Sequence, residues 1–229
     1  MQELLASDSP FIDALKHHHN FFIKILSQAD NLSPFSAFLS FHSLMLFNAA
    51  LRTAFSGHEV ATYPLLRAAQ EAACYSFLIS NNPDLEKIWL NRHENSQALK
   101  ICRDKFSDAI KQTAKSISQS KYFGEDIGSL IEDCYQQSID FGAHPNPKSI
   151  LHHLTINDQK SPGPVEIKLV GLYSSNSLEI HRILVACLDF GNIIAIILTY
   201  TLNEFDKKNL SELQKLIDEK NNLVKTHFK

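Results

Sequence analysis

A chain of 229 residues with 44% hydrophobic side chains can bury a core without help from metal or disulfides. Its 7 glycines and 8 prolines exclude a low-complexity or collagen-like chain. A net charge of -3 and a pI near 6.4 exclude a global electrostatic pull toward nucleic acid or membrane.

Cys74, Cys102, Cys134 and Cys187 all lie in helical-looking runs without a CxxC pair. They read as small buried hydrophobes in a reducing, cytoplasmic setting. The opening MQELLASDSPF has no basic region followed by an apolar core, so no signal peptide is expected.

Taken in order, the chain reads as helix after helix. Ser9-Pro10 is a start signal, a capping hydroxyl followed by proline at the first helical position. Phe11, Leu15, Phe22, Ile25 and Leu26 then recur at helical spacing. His17, His18 and His19 are adjacent and point about 100° apart, so one regular helix cannot aim all three at one ion. Ser33-Pro34 repeats the start signal for a helix over 35–55, and Gly57 is a natural stop. A stripe of Ser33, Ser36, Ser40 and Ser43 would let a neighbouring helix come close.

The stretch from His58 to Leu78 is apolar or small nearly all the way round, which places it in the middle of a bundle. Asn82-Pro83 opens a short helix through about Arg92, and a longer polar helix is expected over 94–118. A further helix runs from Ile127 to Phe141 and ends before His144-Pro145-Asn146-Pro147. Residues 151–156 and 165–173 flank Ser161-Pro162-Gly163-Pro164 and suit a hairpin or two extended arms.

Ser174, Ser175 or Asn176 would cap the most apolar helix, which runs to about Phe205. It has membrane length, but Asp189, Gly191 and Asn192 inside it favour a buried core helix of a soluble protein. Ser211 and Gln214 form a capping-box pattern for a last amphipathic helix, about 209–226. The expectation is one all-α domain over 1–229, with a core over 10–205. It is a bundle of about seven helices with a small extended insertion near 148–173.

Chemistry could sit in a few places. Arg67 and Glu71 stand four residues apart on an otherwise apolar helix, so they are either a pair on its one wet edge or a polar group serving a pocket. Asp140 and His144, near Tyr135 and Asn146, could meet Glu71 from another helix and form a small-ligand or metal pocket. Asp189 and Asn192 are expected to bond Arg182 or an arginine of the second or third helix, and a pocket of Asp189 with Arg52 or Arg67 is a second arrangement. His152, His153 and His181 have no zinc spacing. No metal or cofactor is expected from these patterns. No glycine loop for phosphate, nucleophile elbow or basic aromatic RNA platform is present, and there is no DNA signal.

Arg52 to His58 has the form R-x5-H and in that respect resembles the R-x4–6-H motif of the HEPN superfamily. The resemblance implies a small helical bundle, often dimeric, and in many members a metal-independent ribonuclease of toxin or anti-phage systems. Arg52 and His58 would then be the catalytic pair.

A broader likeness covers about 35–205 in outline. The run SGHEVATYPLLRAAQEAACYSFL, with Tyr135 and His144-Pro145-Asn146, is similar to a group of uncharacterised bacterial helical proteins. These share a Leu-Leu-Arg…Glu helix and a His-Pro-Asn/Ser helix end. That likeness implies the helical fold and a polar site of Arg67, Glu71 and His144. Three functions follow as expectations: a cytoplasmic homodimer acting through protein contacts, an HEPN-like ribonuclease, or a ligand pocket at Glu71 and His144.

Overall fold

The computed structural model describes residues 9–120, 122–124, 126–143, 147–151, 153–157, 166–174, 177–203 and 205–228. Among them the chain is all-α apart from one short β ladder. Helix α1 spans Pro10–Leu26, α2 Pro34–Phe55, α3 Glu59–Asn81 and α4 Pro83–Leu90. Then come α5 Ser96–Phe106, α6 Ala109–Ser118, α7 Asp126–Ser138 and α8 Pro147–Leu151. Strands β1 (Leu154–Asn157) and β2 (Glu166–Leu169) precede α9 Leu178–Leu202 and α10 Lys207–His227.

The expected start signals work where a hydroxyl or carboxylate meets a free amide. Ser33 Oγ accepts from Ser36 N at 3.2 Å, and Ser177, rather than the three residues before it, accepts from Ile180 N at 3.2 Å. The last helix begins earlier than Ser211, because Asp206 caps it by accepting from Asn209 N at 2.6 Å. The helix expected over 94–118 breaks at Ser107-Asp108 into α5 and α6. The break lets Phe106 and Ile110 both turn inward.

The middle of the bundle is α3. It lies most extensively against α2 and next against α9. The serines of α2 face it: Ser36 and Ser40 bond the Ser76 hydroxyl at 2.9 and 2.8 Å, and Ser43 donates to the Ala69 carbonyl at 2.7 Å. Small side chains permit the close approach, and the bonds satisfy hydroxyls that would otherwise be buried without partners. Eighteen of the 25 residues of α9 are buried, so it is the apolar spine of the fold. By length and composition α2 and α9 could each cross a membrane, yet 83% of the apolar window of α9 is already covered by protein.

The insertion is an antiparallel ladder, with Leu154 opposite Leu169 and Ile156 opposite Ile167. Its trailing arm docks where α2 turns into α3, as Tyr173 N donates to Gly57 O at 3.2 Å. Gly57 has φ of +83°, and a methyl group there would lie 2.5 Å from the Tyr173 carbonyl oxygen. The turn and the arm therefore both require glycine.

Candidate functional site

Arg67 and Glu71 lie one turn apart on α3, and the pair forms: Arg67 Nε donates to Glu71 Oε1 at 2.9 Å. Tyr135 of α7 closes a triangle. Its hydroxyl donates to the same Glu71 oxygen at 2.8 Å and accepts from Arg67 Nη2 at 2.8 Å. The guanidinium carbon also stands 5.0 Å from the centre of the Tyr135 ring, within cation–π range. The pair is neither buried nor free in water: the side chains are 25% and 38% exposed.

The electrostatics follow from this setting. Burial alone would lower Arg67, but the bond and charge of Glu71 outweigh it and hold the guanidinium above its ordinary value. Burial, with the bond and charge of Glu71, pushes the Tyr135 phenol up to about 12 against the opposing pull of Arg67. At neutral pH Arg67 is therefore a guanidinium and Tyr135 a protonated phenol. The triangle is a fixed polar clasp between α3 and α7, and Gln70 adds a second tie by donating to the Ile131 carbonyl at 2.7 Å.

One turn after Tyr135 the helix loosens into a π turn, Ile139–Ala143. It lies against α3. Pro64 is the sixth residue of that helix and has no N–H, so Val60 O loses its partner four residues on. The π turn rests on this gap. A methyl group at Gly142 would stand 2.7 Å from Tyr63 Cβ and 3.0 Å from Val60 O, and Phe141 stacks on Tyr63 with centroids 5.6 Å apart.

Asp140 rides on the π turn, but its carboxylate does not join the triangle. It accepts from Lys148 Nζ at 2.5 Å and from Gln136 Nε2 at 3.2 Å, and Lys148 holds it below its ordinary value. His144 and Asn146 lie outside the described residues, so the expected meeting of His144 with Glu71 is not part of this geometry.

Arg52 and His58 are both exposed at the α2–α3 joint. The His58 ring meets Ser56 Oγ through Nδ1 at 3.0 Å, which orients it. The expected arginine partners of Asp189 are replaced by a lysine: Asp189 Oδ1 pairs with Lys220 of α10 at 2.6 Å. Asn192 bonds His18 Nε2 at 2.9 Å, a contact between α9 and α1. Among the described residues no three His, Cys, Asp or Glu side chains converge to hold a metal.

Phe38, Phe41 and Met45 lie on one face of α2 and are 63%, 43% and 67% exposed. Their spacing of three and four residues, continued by Arg52, was visible in the chain. It was hidden by the apolar residues on the other faces of the same helix. Tyr135, grouped from the sequence with Asp140 and His144, joins Arg67 and Glu71 instead: it stands at the edge of the buried stripe of α7, and its hydroxyl reaches both charges.

No family model, curated protein or solved structure matches this chain.

Proposed function

We propose that the protein acts in the cytoplasm as a homodimer through protein contacts, with two copies meeting along α2. The supporting observation is the row of Phe38, Phe41 and Met45, three large apolar side chains held open on one face of a helix whose other faces are packed. Exposed contiguous apolar surface marks an interaction site. A single helical stripe suits a two-fold pairing, because the same patch serves on both copies. Sedimentation velocity on the purified chain across a range of concentrations tests the reading. A dimer is expected, and a monomer at every concentration would end it.

A second reading rests on Arg52 and His58. Both are exposed at the end of the same helix, and Ser56 orients the histidine. A two-fold contact along α2 would make them neighbours of the interface, the setting of the HEPN-like catalytic pair. The expectation is RNA cleavage that survives EDTA and is lost in Arg52→Ala and His58→Ala. RNA left intact after long incubation with the wild-type dimer would remove this reading without touching the first.

A further inference from the structure

A second cleft lies far along the chain from the α2 face, walled by α7, α9 and α10. Its volume is about 380 Å³, within the usual range of small-ligand pockets of about 300–1,000 Å³. Ile127 and Leu130 of α7, Ile193 and Ile196 of α9 and Ile217 of α10 give it apolar walls. Its charged lining is Asp126, Asp189 and Lys220, two carboxylates against one ammonium.

The ammonium is already engaged, since Lys220 Nζ sits 2.6 Å from Asp189 Oδ1. A carboxylate can accept about four hydrogen bonds, so Asp189 keeps capacity for another donor. From α7 the cleft takes the Asp126 carboxylate at its lining and no lysine or arginine, so with Asp189 the carboxylates outnumber the one ammonium there. The Asp189 side chain is 31% exposed, and it reaches the cleft from a helix that is otherwise the apolar spine of the fold.

We infer that this cleft binds a small organic amine with an apolar body, its ammonium on Asp189 and its chain along the isoleucines of α9 and α10. The surrounding electrostatics suit such a ligand. Burial raises Asp189 above the ordinary carboxylate value even with Lys220 beside it, so a second cation would relieve a charge that the fold only partly compensates. An anionic ligand would meet two carboxylates and would have to take Lys220 from its partner. A neutral alcohol would fill the walls and forgo the charge.

The test is calorimetric titration of the full chain with octylamine, octanol and octanoate. Octylamine is expected to bind about tenfold more tightly than octanol, the scale of one hydrogen bond to a charged group, with octanoate weakest. Asp189→Asn is expected to abolish the preference for the amine. Leu130→Trp, at a rim position that is 53% exposed and safe for folding, is expected to weaken octylamine by narrowing the mouth. Equal or tighter binding of octanoate or octanol overturns the inference. So does an absence of binding by octylamine, or unchanged octylamine affinity in Leu130→Trp.

Discussion

At the scale of single residues the most informative group is the Tyr135 hydroxyl. It touches both members of the Arg67–Glu71 pair, so it turns an ordinary helical ion pair into a tie between two helices. Left alone, such a pair in the Arg-before-Glu order adds only about 0.3–0.5 kcal/mol. With the phenol added, Tyr135→Phe is expected to destabilise the fold by about 1 kcal/mol in urea titrations, because two charged groups each lose a partner at a half-exposed site. A double-mutant cycle with Glu71→Gln should show coupling of at least about 0.5 kcal/mol. Strict additivity would mean that the three side chains are merely adjacent.

The helices themselves divide into those that are finished and those that are not. Helix α9 is covered on nearly every side, and α3 is clasped by α2, α7 and α9. Helix α2 is different. Its serines are spent on α3, while Phe38, Phe41 and Met45 remain open. The double change Phe38→Glu with Met45→Glu should therefore leave the fold intact, with an unchanged far-ultraviolet spectrum and melting temperature. Buried charge across the proposed two-fold should convert the proposed dimer to monomer, as read by sedimentation. If the doubly substituted chain still dimerises with wild-type affinity, α2 is not the interface.

Among the described residues one contiguous core runs from Phe11 to Leu223, and polar groups are sealed within it. His18 is one. It is fully buried, it donates from Nδ1 to the Ala14 carbonyl at 2.8 Å, and Nε2 meets Asn192 at 2.9 Å. A methyl group at Gly191 would come within 2.7 Å of its ring, so α9 carries glycine there. Burial lowers the His18 value below 6.5; the two hydrogen bonds and Glu219 oppose the shift, and His17 adds to it.

The consequence for stability has a definite sign. A histidine depressed in the folded state binds its proton more readily when unfolded, so its contribution is intact above the unfolded value of about 6.5 and is lost as pH falls below it. Unfolding free energy is expected to drop between pH 7.5 and 5, by up to about 1.4 kcal/mol per unit for the one proton, and the slope should flatten in His18→Gln. Asp189, raised by burial, acts in the opposite sense, because its charged form is the costly one. An unchanged slope in His18→Gln would assign the pH dependence to other groups.

Much of this was open to reading from the chain, because the forces that write helices are local. Helical spacing of Phe11, Leu15 and Phe22, the Ser-Pro starts at Ser9 and Ser33, and the glycine stop at Gly57 belong to neighbours within a turn or two, and each marks an observed element. The apolar run with Asp189 inside it pointed to a core helix, and residues 151–156 and 165–173 to a hairpin or two extended arms, of which the described residues form an antiparallel ladder.

The partners of charged side chains were not legible. Asp189 pairs with Lys220 rather than an arginine, and Asp140 with Lys148 rather than the Glu71 site. Tyr135 reaches Arg67 across 68 positions. Those choices depend on how helices are laid against one another, which is decided by the fit of whole apolar faces. The composition and periodicity of this chain determined an all-α bundle and most of its helix starts, but not the break at Ser107-Asp108 or the short helix Pro147–Leu151. Only the tertiary packing decided which face of α2 stayed open and which polar groups met.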